Sequence, residues 1–145
     1  MKANEFMIGD WVYNKHHGKN IRLTQYDFFT HTHNEFGEQE LAPFAMPTFG
    51  RDLEAIPITA EILEKNGWKH EFDKADYMVK YDLGKEGKNC WMMWAIKEHN
   101  LDIQRQDEKL DMYNLKVSKV VIPCDYVHEL QNAMRICGIE KEIEL

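Results

Sequence analysis

The sequence predicts an α+β protein made of two units, and three observations carry that expectation. Strand-like alternation recurs through most of the chain, and only two stretches combine helical spacing with caps. Three of the four prolines, Pro43, Pro47 and Pro57, fall with Gly50 inside residues 42–59 and make a seam. Proline removes a ladder donor and restricts its predecessor, so the seam divides residues 1–57 from residues 58–145. The first unit reads as an SH3-like small β-barrel that includes the proline-rich linker. The second reads as an α-β-β-β-β-α unit built on an antiparallel meander, with both helices on one face.

In the first unit, Gly9-Asp10 precedes Trp11-Val12-Tyr13, and a glycine-containing loop, Asn14 to Asn20, follows. Ile21 and Leu23 then alternate with Arg22 and Thr24, the mark of a half-buried strand. Tyr26-Asp27-Phe28-Phe29 and the Gly37 turn continue the unit, and Leu53 and Ile56 are placed to supply its closing strand.

After the seam, Thr59 is placed to N-cap a helix over Ala60–Asn66, with Glu61 in its first turn. Ile58 and Leu63 can staple its start, and Gly67 ends it as a left-handed residue. Tyr77, Val79, Tyr81 and Leu83 alternate with polar neighbours, a strand with one buried face. The Gly84–Gly87 turn leads to Trp91-Met92-Met93-Trp94-Ala95-Ile96, apolar on both faces and so a central strand. Asn100 closes another turn before Leu101 and Ile103, and Gln104–Lys109 reads as a polar stretch. Tyr113, Leu115 and Val117, then Val120 to Ile122, complete the run. Pro123 is expected to open a second helix, with Val127, Leu130, Met134 and Cys137 on one face at spacings of three, four and three. This stripe is expected to lie against the sheet face carrying Trp91, Met93, Tyr113, Leu115 and Val117, with His128 on the opposite, polar face. Gly138 gives the stop, Met134 and Ile139 its hydrophobic pair, and the tail Glu140–Leu145 reads as a short edge strand through Ile143.

Composition narrows the function. Seven Phe, six Tyr and four Trp in 145 residues supply too much apolar surface for a disordered chain. No apolar run approaches the roughly 18 residues that span a bilayer, and the start shows no export signal, so a cytoplasmic protein without a membrane partner is expected. A net charge of −7 argues against broad nucleic-acid binding, which needs clustered Lys and Arg. Cys90, Cys124 and Cys137 have no zinc spacing and read as reduced, partly buried thiols.

Three strings point outside the chain: Asn4 to Asn14 (NEFMIGDWVYN), Ile56 to Trp68 (IPITAEILEKNGW) and Asp125 to Leu145 (DYVHELQNAMRICGIEKEIEL). Together they resemble a group of small uncharacterised bacterial proteins of the kind met around prophages and mobile elements. The resemblance implies a bacterial cytoplasmic setting. It brings no activity and no catalytic residue.

His128-Glu129-Leu130-Gln131-Asn132 approaches the H-E-x-x-H zinc motif, in which two imidazoles one turn apart hold the metal and the glutamate activates water. Similar proteins can carry histidine at the Asn132 position, but here the second ligand is absent and a polar helix face is the plainer reading. His31 and His33 would share a face if extended, and so a metal, although loop histidines are the simpler expectation. Gly84-Lys85-Glu86-Gly87-Lys88 lacks phosphate-loop spacing and reads as a hairpin turn. Trp11, Tyr13, Tyr26 and Phe28 are the binding candidates, because SH3-like units dock peptides on exposed aromatic rings. Val12 lies between Trp11 and Tyr13, so only one face of that strand can be inside. The leading expectation is a non-enzymatic binding or adaptor module for a protein or peptide partner, without a cofactor and with a homo-oligomer left open. The alternatives are a metal-dependent hydrolase using His128 and Glu129 with His31 and His33, and an acidic inhibitor of a nucleic-acid-binding protein.

Overall fold

The computed structural model describes residues 6–24, 27, 29–33, 36, 39–43, 53–70, 76–83, 88–109 and 115–145; within its strands, the side chains of 29–33, 39–43, 106–109 and 115–118 are not described. The described elements are mostly antiparallel strands with two helices, the α+β class. Two compact units divide the chain, Met1–Ile56 and Pro57–Leu145.

In the first unit β1 (Trp11–Asn14) is central, between β2 (Lys19–Arg22) and β5 (Leu53–Ala55). Val12 lies opposite both Ile21 and Ala55 and is fully buried with Phe6, Leu23 and Leu53. Alternation then puts Trp11 and Tyr13 on the outer face. The turn before β1 is held by a buried carboxylate: Asp10 Oδ2 accepts from the Met7 amide at 2.8 Å, while Gly9 and Leu23 close the entry from both sides. β3 (Phe29–His33) and β4 (Gln39–Pro43) form a separate hairpin. Leu53 does supply a strand beside β1, but no closed barrel forms among the described residues, because no described strand joins the outer edges of β2 and β5.

In the second unit α1 (Ala60–Lys65) starts at Thr59, whose hydroxyl accepts from the Ile62 amide at 3.3 Å. It ends in a Schellman turn: Trp68 N–H donates to Leu63 O at 3.0 Å and Gly67 N–H to Glu64 O at 3.1 Å. A two-residue β6 (Lys69–His70), which the sequence pattern does not announce, follows. β7 (Asp76–Asp82), β8 (Asn89–Ala95), β9 (Asn100–Lys109) and β10 (Leu115–Pro123) then pair antiparallel in the order β10-β9-β8-β7-β6. The polar Gln104–Lys109 stretch continues β9, because its backbone pairs with β10 whatever its side chains are. β8 is central, as its unbroken apolar run requires.

The inner face of this sheet is Tyr77, Tyr81, Cys90, Met92, Trp94, Leu101 and Ile103, all buried. Register aligns them, with Trp94 opposite Tyr77 and Leu101, and Met92 opposite Ile103. The expectation that Trp91 and Met93 face the helix is therefore corrected: in a strand apolar on both sides the phase is set by Cys90, Met92 and Trp94. Tyr77 hydroxyl donates to Glu64 Oε1 of α1 at 3.0 Å, and Trp94 Nε1 donates to Cys124 O at 2.9 Å. Burial pushes the Tyr81 phenol up.

α2 (Val127–Ile136) begins after Tyr126, not at Pro123, which closes β10. Glu129 Oε2 accepts from the amides of Asp125 and Tyr126 at 2.7 and 3.3 Å, fixing the start. The stop is the expected one. Ile139 N–H donates to Met134 O at 2.9 Å and Gly138 to Arg135 O at 3.0 Å, with Gly138 at φ +76°. Val127, Leu130, Met134 and Cys137 are buried, but His128 is buried too, only 4% exposed, as is Gln131. The buried arc is wider than the apolar stripe, so the surface placement of His128 is corrected. The tail is likewise not a strand. It is captured by Asn66, whose Oδ1 accepts from Glu144 N at 2.7 Å while its Nδ2 donates to Glu144 O at 2.6 Å, with Ile143 buried alongside.

Candidate functional site

The outer face of the second unit's sheet is built by register. Two rows of side chains cross four strands: Lys80, Trp91, Gln104 and Lys119 in one, Met78, Met93, Asp102 and Val121 in the next. Between them lies a recess of about 120 Å³, lined by Met78, Trp91, Met92, Met93, Asp102 and Gln104. Trp91 is 40% exposed there and Val121 53%. A large ring and two thioethers, those of Met78 and Met93, at a water-facing surface cost hydration free energy, and a sheet face of this kind is a recurrent place for a partner to dock.

Its electrostatics are specific. Lys80 Nζ lies over the Trp91 ring at 5.3 Å from the centroid, a cation–π contact. Lys119 Nζ reaches Asp102 Oδ2 at 3.6 Å, while Asp102 Oδ1 is buried with no hydrogen-bond partner among the described residues. The recess thus combines an apolar floor, a ring that accepts a cation on its face and a carboxylate with acceptor capacity left over. Sites for drug-sized ligands run to about 300–1,000 Å³, so this one has room for a side chain and not for a nucleotide.

In the first unit the expected binding residues Trp11 and Tyr13 share the outer face of β1. Arg22 sits over the Trp11 ring at 5.0 Å, and Tyr13 is 36% exposed. Tyr26 and Phe28 lie outside the described residues. His31 and His33 occupy β3 opposite Leu41 and Gln39, and their side chains also lie outside the description. Glu129 is engaged in capping α2, and His128 is buried and stacked on Tyr126 at 5.9 Å and 18°. Among the described residues no three His, Cys, Asp or Glu side chains converge as metal ligands. No described helix is long and apolar enough to cross a membrane.

Sequence reasoning missed Trp91, Met78, Met93 and Asp102 as a site. The available signal was the double-sided apolarity of β8: with both helices expected on one face, its second apolar face was left to meet water or a partner. Comparison with family models, curated proteins and solved structures found no match to this chain.

Proposed function

We propose that the chain is a non-enzymatic binding module that recognises a partner protein through the outer face of its five-stranded sheet. The occupant of the recess is a lysine or arginine side chain from a basic segment flanked by apolar residues. Its aliphatic stem lies along Met78 and Met93, and its head group meets Asp102 and the Trp91 face. The observation that carries this reading is the recess itself, where the 40% exposed Trp91 ring and the thioethers of Met78 and Met93 lie beside the Asp102 carboxylate. The net charge of −7 favours the same kind of partner by long-range attraction. The bacterial cytoplasmic setting, and an SH3-like character for the first unit with Trp11 and Tyr13 as a second docking surface, belong to the same reading.

The test is selection of displayed random peptides on the intact protein, followed by calorimetric titration of the winners. Enrichment of Lys or Arg between apolar residues, with at least tenfold weaker binding to Trp91→Ala, supports the proposal. Enrichment of acidic peptides, or binding indifferent to Trp91→Ala, overturns it.

A further inference from the structure

The first unit carries a charge pattern of its own. Residues 11–22, WVYNKHHGKNIR, hold Lys15, Lys19 and Arg22, two histidines and no acidic residue, in a chain whose net charge is −7. They are β1, β2 and the turn that joins them, so the cluster in sequence is also a cluster in space. Pairing of Trp11 with Arg22 and of Tyr13 with Asn20 sets these four side chains on the outer face of the hairpin, away from the buried Val12. The Arg22 guanidinium is held 5.0 Å from the Trp11 ring centroid, and Tyr13 is 36% exposed in the next row. At the tip, the Asn14 side-chain oxygen accepts from His17 N–H at 3.1 Å, and Lys15 to Asn20 are all exposed. Glu54, opposite Tyr13 on β5, brings a carboxylate to this face, and Lys15 meets it at 2.7 Å.

We propose that the outer face of the β1–β2 hairpin is a docking surface for single-stranded nucleic acid. A base stacks on the Tyr13 ring, and the phosphates on its two sides meet Arg22 and Lys19, which flank the Tyr13–Asn20 row on β2. The Trp11 ring holds the Arg22 guanidinium in place for that contact.

Ring and cations together select the ligand. A duplex supplies phosphates, but its base faces are already stacked on one another and offer nothing to Tyr13. An acidic peptide supplies charge without a ring to stack. The few cations and the acidic remainder of the chain confine this binding to the hairpin. The proposal rests on the reading of Trp11 and Tyr13 as a second docking surface and is independent of the recess in the other unit.

The experiment titrates the full-length chain into fluorescein-labelled oligothymidylate and follows anisotropy at a series of salt concentrations. Saturable binding is expected, with log K falling against log salt at a slope of about −1.4, about −0.7 for each of two phosphates. Tyr13→Ala is expected to weaken binding at least about fivefold, while Tyr13→Phe, which keeps the ring, preserves it. Lys19→Ala brings the slope to about −0.7. The same strand annealed to oligoadenylate binds more weakly. Tyr13 and Lys19 are exposed, circular dichroism shows each variant folded, and the wild-type slope and duplex comparison decide the matter if one is not. No saturable binding, binding undiminished in Tyr13→Ala, a duplex bound as tightly as the single strand, or displacement by an equal concentration of polyglutamate would overturn the proposal. The titration contains no peptide, so its failure does not bear on the recess, and failure of the peptide selection does not bear on the hairpin.

Discussion

Lys119 pairs with Gln104 across the β9–β10 ladder, yet its ammonium reaches diagonally to Asp102 Oδ2, 3.6 Å away. An ion pair at a sheet surface contributes about 0–1 kcal/mol, so Lys119→Ala is expected to change stability by less than about 1 kcal/mol in urea denaturation. Its effect on binding has the opposite sign to intuition. Removing Lys119 releases Asp102 for a partner's cation, so a basic peptide binds Lys119→Ala more tightly and Asp102→Asn more weakly. Parallel titrations of the two variants check both directions.

Leu130 sits in the middle of the α2 stripe and is fully buried. Leu130→Ala removes transfer free energy and leaves a cavity, costing about 2–5 kcal/mol. His128→Ala is expected to cost about 1–3 kcal/mol, well above a surface substitution, because the imidazole is buried against Tyr126. Chemical denaturation of both variants measures this. A His128→Ala change within about 0.5 kcal/mol would return His128 to the surface.

Asn66 holds Glu144 by a reciprocal pair of hydrogen bonds and also donates to Ile62 O at 2.7 Å. Lys65 adds a contact to Leu145 O, and Lys141 returns to Asn66 O at 3.2 Å. Asn66→Ala takes the side-chain partner from the part-buried N–H and C=O of Glu144 and is expected to cost about 1–3 kcal/mol. Amide exchange at Glu144 then accelerates while the β8 amides stay protected. Equal loss of protection at both sites would mean that the tail is not separately latched.

Thiol titration gives a signed pH dependence. Burial pushes the Cys124 thiol up to about 12, and the charges of Glu129 and Asp125 add to that. Its contribution to stability is therefore complete below about 9 and lost as pH climbs towards about 12. Alkylation by iodoacetamide is expected to leave Cys124 untouched in the folded protein. Ready modification of Cys124 in the folded chain would contradict the assignment.

What the sequence made legible was local. Thr59, Gly67, Gly138 and the Met134–Ile139 pair announce the caps, because each acts within a single turn. β7, β10 and the start of β9 follow from alternation, while β6 and the Gln104–Lys109 half of β9 do not, and β8 at the centre follows from its apolar run. The phase of β8 was not legible. WMMWA is apolar in either phase, and only pairing with Tyr77, Tyr81, Leu101 and Ile103 decides which residues turn inward. That decision moves Trp91 and Met93 from the core to the site. The Asn66–Glu144 latch joins residues 78 apart and leaves no local pattern. His128 escaped because an apolar stripe marks the centre of a buried arc and says nothing of its width.

The central claim is tested most directly by methyl spectra of the protein labelled at methionine methyl groups, titrated with a selected basic peptide. Met78, Met92 and Met93 line the recess, whereas Met134 lies buried in α2, in the same unit. The account predicts saturable shifts at Met78 and Met93, an unshifted Met134, and loss of the response in Trp91→Ala. Shifts that leave Met78 and Met93 in place, or that survive Trp91→Ala undiminished, would contradict it.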